Sequence, residues 1–208
     1  MKRRSFVELS MLGSAGVMAT AYAQTPAVAQ KTACPTDGTP NQFIPKKTAD
    51  ANPLQNELAK YPKCPYCGMD RTQYSHSRML IQYGDDLVDG TCSIHCSALS
   101  LGLNIDRQPK MIWVGDNASN AEVKPLVEVD KASFLVGSSI KGVMTKRSKV
   151  AYGTRSAAEA SKKANGGEIT GFDQALAAAY ADLSADVSMI RKNREERRKR
   201  MAEQQKKG

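Results

Sequence analysis

Residues 64–69 read CPYCGM and residues 92–96 read CSIHC, and these two short stretches decide how the first half of the chain folds. Proline and glycine favour a tight turn around the first cysteine pair, which directs both thiols toward one centre. Residues 78–83 and 87–91 are rich in β-forming side chains and flank a Gly-Asp-Asp turn. This pattern predicts a hairpin that brings the two cysteine pairs together.

The second cysteine pair opens a segment, residues 92–102, that is expected to form a short helix with Thr91 as its N-cap. Because residues three and four apart share a helix face, Cys92, His95 and Cys96 are expected to project together. A helix N-terminus also lowers the pKa of a thiol, which favours the thiolate form that binds metal. The turn, hairpin and helix together predict a treble-clef-like site built from both cysteine pairs.

Four cysteines in a C-x-x-C and C-x-x-x-C arrangement indicate a metal site, but other interpretations stay open. An exported chain can join four cysteines in two disulfides. A thioredoxin-like redox motif needs a helix directly at its C-x-x-C, and Gly68 with the polar residues after it disfavours one. Haem attachment needs a histidine after the second cysteine, where Gly68 and Ser97 stand. Within the metal interpretation, structural zinc and a softer transition metal are both candidates.

The methionines favour the softer metal, because thiolate and thioether ligands select Cu(I). Met69 follows the first cysteine pair directly, and Met144 lies in a loop between predicted strands of the second half. Met79 and Met111 are expected to fill the core, as most methionines do. His76 is expected to be a surface or hairpin histidine and is a lesser candidate for a ligand.

The second half of the chain repeats the order of elements predicted for the first half, which is strand, strand, helix, strand. Its helix is expected to end at a Gly-Gly pair, and an alanine-rich helix follows it. The remaining predicted elements are strands at residues 111–114, 126–136, 150–153 and 168–172 and helices at residues 156–165 and 173–190.

The sequence therefore predicts an α+β protein with two small repeated ββαβ domains and a C-terminal helix. The first domain, residues 61–116, carries the cysteine site, and the second spans residues 117–180. Residues 181–208 are expected to form a basic C-terminal helix or tail.

The net charge of the 208 residues is +9, but most of it lies at the two ends of the chain. Residues 191–208 contain nine lysines and arginines against three glutamates, and the residues between the two ends are close to neutral. A nucleic-acid-binding domain carries a basic face on the fold itself, so nucleic acid is not an expected partner. The basic tail is a candidate for contact with an acidic partner or an anionic membrane surface.

The N-terminus has the features of an export signal. Two arginines are followed by a weakly apolar run and by Ala21-Tyr22-Ala23, which predicts a twin-arginine-like signal peptide over residues 1–23. An ordinary secretory signal with two basic residues is the alternative. Proline-rich residues 24–60 are expected to form a disordered leader that contains Cys34. The expected location is periplasmic.

Several short segments appear in a characteristic order: Cys67-Gly68-Met69, Val129-Asp130-Lys131-Ala132, Phe134-Leu135-Val136-Gly137-Ser138, Val143-Met144, Val150-Ala151-Tyr152-Gly153, Gly166-Gly167-Glu168-Ile169 and Phe172. In this ordered set the chain resembles the NosL family, the accessory proteins of nitrous oxide reductase, over about residues 61–178. The resemblance implies two similar ββαβ domains and an exported protein that binds Cu(I) and helps to supply copper to the reductase. It implies Cys67 and Met144 as ligands from different domains.

The sequence departs from the family in its additional sulfur ligands and in its soluble character, because family members are commonly lipoproteins. The additional candidates Cys64, Cys92, His95 and Cys96 keep a structural zinc site open as the alternative to copper. The family fold is also similar to organomercurial lyase, which would need Asp70 as an acid beside the thiols. The expected function is a non-enzymatic Cu(I) metallochaperone, with a nitrous-oxide-reductase-like copper enzyme or its assembly proteins as partner.

Overall fold

A computed structural model describes residues 48–105 and 107–206 of the chain. The signal peptide expected over residues 1–23, most of the expected leader and Cys34 lie outside the described residues. Residues 48–60 belong to the folded structure, in which the Asp50 amide donates to the Asp86 carbonyl at 2.7 Å. The Tyr61 hydroxyl donates to the Asp50 carboxylate at 2.7 Å. Folded structure therefore starts before residue 60, because this polar segment finds partners on the hairpin.

The first sheet has four antiparallel strands in the order β2-β1-β3-β4. Every residue of the central strand β1 is buried, which matches its apolar Met-Leu-Ile sequence. The elements of this half are α1 (Glu57–Lys60), β1 (Met79–Tyr83), β2 (Val88–Thr91), α2 (Ile94–Leu103), β3 (Pro109–Gly115) and β4 (Leu126–Glu128).

The second sheet has three antiparallel strands in the order β6-β5-β7. Its helix α3 begins with Thr154 as N-cap, whose side chain accepts from the Ala157 amide, and ends at Gly166, which has a φ of 70°. Only glycine adopts such a φ without strain, so the helix ends where the sequence predicts. The elements of this half are β5 (Ser133–Val136), β6 (Lys149–Tyr152), α3 (Arg155–Asn165) and β7 (Glu168–Thr170).

Residues 126–136, expected as one stretch of strand, divide between the two sheets. A short 3-10 helix at Val129–Lys131 separates β4 from β5. β4 pairs with β3 in the first sheet, whereas β5 is the central strand of the second. The chain passes from one sheet to the other here because Val129 turns into the core between them.

The last helix, α4 (Phe172–Gln205), is one continuous helix of 34 residues. Its Ala175 and Ala179 are buried in a core cluster that also contains Met79 and Ile94 of the first half and Phe134 of the second. Residues four apart lie on the same face of a helix, and the small alanine side chains let this face of α4 pack closely on the sheets and α2. Beyond residue 190 the described part of α4 is exposed, as the charge pattern predicts. None of the helices in the described residues carries an apolar stretch long enough to cross a membrane.

Candidate metal centre

A tight turn holds the first cysteine pair. The Cys64 amide donates to the Met69 carbonyl at 2.9 Å, and the Gly68 amide donates to the Cys64 carbonyl at 2.9 Å. Gly68 has a φ of 77°, a conformation that side chains with a Cβ rarely adopt. The glycine therefore lets the chain reverse directly after Cys67, as the sequence predicts.

Arg71 joins this turn to the hairpin. Its fully buried guanidinium donates to the carbonyls of Tyr61, Met79 and Thr91, at 2.6, 3.0 and 3.2 Å. It also lies 2.8 Å from the carboxylate of Glu57, so its charge is paired within the core. One side chain thus fixes the cysteine turn against both strands of the hairpin. Sequence reasoning missed this role, because an isolated arginine after a turn usually lies at the surface.

The second cysteine pair spans the junction between β2 and α2. The helix begins at Ile94 with Ser93 as its N-cap, two residues later than expected, so Cys92 precedes the helix and Cys96 lies in its first turn. Thr91 is therefore not the cap. It is the last residue of β2, and its hydroxyl lies 2.6 Å from that of Ser97.

The four cysteine sulfurs form one cluster, in which all Sγ atoms lie within 4.8 Å of one another. The Cys67 and Cys92 sulfurs are 3.4 Å apart, and those of Cys92 and Cys96 are 3.7 Å apart. All four cysteines are free thiols, so the structure contains neither of the expected alternative disulfides among them. Cys64, Cys92 and Cys96 are buried, whereas Cys67 is half-buried. Cys67 is thus the thiol of the cluster that faces outward.

Hydrogen bonds among the four thiols shift their pKa values in opposite directions. Hydrogen bonds from Cys67, Cys92 and Cys96 lower the pKa of Cys64, so one thiolate is stabilised within the cluster. Hydrogen bonds with Cys64 and Cys67, with burial as a further cause, raise the pKa of Cys92 and Cys96. Cys64 acts to raise the pKa of Cys67, but hydrogen bonds from Cys92 and Cys96 outweigh it and lower that pKa as well. The cluster therefore favours thiolates at Cys64 and Cys67, and the deprotonation of Cys92 and Cys96 requires the positive charge of a metal ion.

Two methionines pack against the cysteine cluster, and they are the two that the sequence singles out. Met69 of the turn and Met144 of the second half both contact it. Met144 has a φ of 60°, which is rare for a residue with a side chain. The preceding Gly142 leaves no room for a Cβ, which would lie 2.5 Å from the Thr145 carbonyl oxygen. A compact loop therefore presents Met144 to the sulfurs. Met79 lies in the core as expected.

The NosL family profile matches residues 55–179, more than half of the chain. The chain belongs to the NosL family. A solved structure described as the copper chaperone NosL from Shewanella denitrificans is similar, with 26% identity and a TM-score of 0.46. That similarity covers 62% of this chain and 96% of the other. No curated protein matched the sequence.

The NosL match includes all four clustered cysteines and Met144 but ends inside α4. The part of α4 beyond the match anchors the loop that carries Met144. Asp182 accepts hydrogen bonds from Arg147 and from the buried Lys149, each at 2.8 Å. Asp186, itself buried, accepts from the Lys146 amide at 3.1 Å. Sequence reasoning missed both aspartates, whose one signal is their spacing on one face of an alanine-rich helix.

The two histidines of this NosL chain have different surroundings. His95 is buried and does not join the sulfur cluster, since its Nδ1 lies 3.4 Å from the Asp186 carboxylate. Burial lowers the pKa of His95 despite the opposing charge of Asp186. His76 is half-buried and lines an open cleft together with Met69 and Met144. Burial and the charge of Lys124 lower its pKa, which favours the neutral imidazole that binds metal.

Asp70, the acid that a mercurial-cleaving enzyme would need, stabilises the turn that follows it. Its carboxylate accepts from the amides of Thr72 and Gln73 at 2.9 and 3.0 Å. The residue is exposed and is not one of the groups that surround the four sulfurs. This arrangement gives no support to a proton-donating role toward Cys67.

Proposed function

We propose that this NosL family member binds Cu(I) outside the cytoplasm and supplies it to a nitrous-oxide-reductase-like enzyme or to its assembly proteins. The observation that carries the proposal is the packing of Met69 and Met144 against the four-cysteine cluster. Membership of the family supports the choice of copper, and the export signal expected over residues 1–23 supports the location. The role is one of binding and transfer, without catalysis.

The donor set suits Cu(I), because soft thiolate and thioether sulfurs favour this ion over harder cations. Cys67 is the proposed primary thiolate, since it is the half-buried member of the cluster. Met144 is the proposed thioether, brought from the other half of the chain. Cys64, Cys92 and Cys96 would extend the site, and Met69, His76 and His95 are lesser candidates. A neutral thioether holds the ion more weakly than a thiolate, which suits release to a client.

The same strand order around each helix supports a repeated architecture. The element order is strand, strand, helix, strand in both halves, and the first of these strands is central among the three in each. We interpret this as two ββαβ domains within residues 61–116 and 117–180, and β4 of the second range joins the sheet of the first. The cysteine turn, the β1–β2 hairpin and the helix that carries Cys96 correspond to a treble-clef-like arrangement. α4 would then pack against both domains and stabilise them together.

A structural zinc site is the second candidate, and the spacing of the sulfurs favours it. Tetrahedral zinc with bonds of about 2.3 Å places thiolate sulfurs about 3.8 Å apart. The separations of 3.4 and 3.7 Å in the cluster are close to this value. In this interpretation the ion would stabilise the first domain permanently, and Met144 would only pack against it.

Metal analysis of anaerobically purified protein separates the two candidates. We expect one Cu(I) per chain, and we expect Met144→Ala to weaken its retention while the exposed Met201→Ala control retains it. Cys92→Ser should reduce binding of either metal. Zinc that is tightly held, unaffected by Met144→Ala and accompanied by no copper uptake would contradict the copper proposal and support the structural site.

A further inference from the structure

An open cleft of about 820 Å³ leads to the two methionines that pack on the cysteine cluster. Three thioethers line it, from Met69, Met144 and Met189, together with His76. Because Met69 and Met144 also contact the cluster, they separate the cleft from the buried sulfurs. The cleft therefore adjoins the candidate metal centre on the side of its two methionines.

All the charged side chains that line this cleft among the described residues are basic. Lys141, Lys146, Arg194 and Arg197 line it, and no aspartate or glutamate does among the described residues. These four side chains are exposed and make no ion pair within the part of the chain that the structure describes. The nearby Glu195 is paired with Lys199. The cleft thus combines an unneutralised basic rim with an apolar, sulfur-containing floor.

We propose that this cleft, formed by the 138–146 loop and the outer part of α4, docks an acidic, methionine-containing segment of the partner polypeptide. The identity of that partner as the recipient of the metal rests on the proposed function. Charge complementarity favours an acidic occupant, and the apolar floor favours side chains over a bare anion. The volume equals that of roughly 27 water molecules, far more than one inorganic anion fills.

Two other occupants fit the charges less well. The chain's own residues 24–47 contain Lys31, Lys46 and Lys47 against a single acid, Asp37, so they would be repelled by the rim. A second copy of the chain offers a nearly neutral body and a basic tail. An acidic segment of a different protein is the occupant that the rim selects.

The test uses the metal-free chain without the signal peptide expected over residues 1–23, and synthetic peptides serve as probes. The first probe is a twelve-residue peptide of Asp, Glu, Gly and two Met, and the second has Asn and Gln in place of the acids. We expect the acidic peptide alone to bind, and we expect added salt to weaken it. Arg194→Glu with Arg197→Glu should weaken binding about tenfold, an effect typical of rim charges.

The matched control reverses Arg198 and Arg200, which lie on the same helix but do not line the cleft. This double variant has the same net charge and should bind nearly as tightly as the unchanged chain. Equal weakening by both double variants would reduce the effect to general attraction by the tail and overturn the proposal. Absence of binding by the unchanged chain would overturn it as well.

Methyl NMR of the methionines locates the peptide independently. Resonances of Met69, Met144 and Met189 should shift on binding, while those of buried Met79 and exposed Met201 should not. Shifts confined to Met201, with the peptide or with anionic phosphatidylglycerol vesicles, would place binding on the tail and overturn the proposal. Displacement of the peptide by equimolar phosphate would reassign the cleft to small anions.

These results do not depend on the metal proposal. Both double variants should bind Cu(I) as the unchanged chain does, because the four arginines lie outside the candidate ligand set. Failure of copper binding in every protein, with peptide docking intact, would contradict the proposed function alone. Copper binding with no docking in the cleft would contradict the further inference alone.

Discussion

Asp186 and His95 meet inside the protein, with Oδ2 of the aspartate 3.4 Å from Nδ1 of the histidine and both side chains almost completely buried. The other oxygen of Asp186 accepts from the Lys146 amide. His95 precedes the ligand candidate Cys96, and Lys146 lies two residues after Met144. One carboxylate on α4 therefore connects the helix that carries a thiol with the loop that carries a thioether.

The first prediction concerns this carboxylate. Asp186→Ala leaves the part-buried Lys146 amide without its acceptor, which should lower the free energy of unfolding by about 1 kcal/mol, the scale for one lost hydrogen bond. The Met144 loop would lose an anchor, so Cu(I) affinity in a competition titration should fall as well. Asp186→Asn keeps the acceptor and should have the smaller effect, and Glu203→Ala on the exposed end of α4 should have none. Unchanged affinity in Asp186→Ala would show that the loop does not need this anchor.

The second prediction concerns the buried guanidinium of Arg71. Arg71 serves three carbonyls and the Glu57 carboxylate, whereas the lysine of Arg71→Lys has only three N–H donors on a single nitrogen and leaves Glu57 poorly paired in the core. Denaturant unfolding should show a loss of roughly 3 kcal/mol, the scale for breaking a buried ion pair. Arg155→Lys, at an exposed pair with Glu159, is the matched control and should stay within about 0.5 kcal/mol. Equal stabilities for the two variants would contradict the anchoring role of Arg71.

The third prediction concerns Gly142. Its replacement by alanine would bring a Cβ to 2.5 Å from the Thr145 carbonyl oxygen, so the loop must shift and displace Met144. We expect a loss of about 1–3 kcal/mol in stability, together with weaker Cu(I) binding by titration. Gly84→Ala, where the nearest atom would lie at an ordinary 3.6 Å, should change neither quantity. Normal copper binding in Gly142→Ala would show that the metal centre does not depend on the conformation of this loop.

The fourth prediction is a pH dependence that follows from Asp182. Partial burial acts to raise the pKa of this carboxyl, but hydrogen bonds from Arg147 and Lys149 outweigh it and hold the pKa below the ordinary 3.8. A lowered folded-state pKa gives stability that is complete above pH 3.8 and is lost as the pH falls through the folded value. The stability difference between the unchanged chain and Asp182→Asn should therefore shrink as the pH falls below about 4.

The matched control for this pH series is Glu195→Gln, at a fully exposed pair with Lys199. Its effect on unfolding should be small at every pH, because solvent screens such pairs. A stability difference for Asp182→Asn that stays constant from pH 6 to pH 3 would contradict the assignment.

The fifth prediction concerns oxidation of the metal-free cluster. With Cys34→Ser to remove the fifth thiol, mild oxidant should form a disulfide between Cys67 and Cys92, whose sulfurs are 3.4 Å apart. Thiol titration should fall from four to two, and peptide mapping should identify the pair. Bound metal should protect all four thiols, since thiolates engaged by a metal are less available for oxidation. Oxidation at the same rate with and without metal would place the ion elsewhere.

Much of the candidate site could be predicted from local patterns. The Pro and Gly around Cys64 and Cys67 encode a turn, and the β-forming side chains of residues 78–91 on both sides of a Gly-Asp-Asp turn encode a hairpin. The convergence of four cysteines follows from those two local structures, because a hairpin returns the chain to the point where it began. The clustering of Cys92 and Cys96 with the first pair therefore needed no knowledge of distant contacts.

The errors were at positions where distant partners decide the outcome. The helix begins at Ile94 and not at Cys92, since Thr91 remains in the β2 ladder and its hydroxyl bonds Ser97. His95 turns away from the sulfurs toward Asp186, a residue 91 positions later in the chain. Periodicity along one helix cannot reveal which neighbouring element a side chain will face.

The sequence by itself determined the β1–β2 hairpin, the cysteine turn and the separation of a neutral body from a basic tail, because these depend on residues close together in the chain. Only the tertiary structure decided that Met144 contacts the cysteine cluster, that α4 braces its loop through Asp182 and Asp186, and that four basic side chains surround one cleft. Those relationships join segments that are far apart in sequence. Packing around a shared core sets them, and no local pattern records that packing.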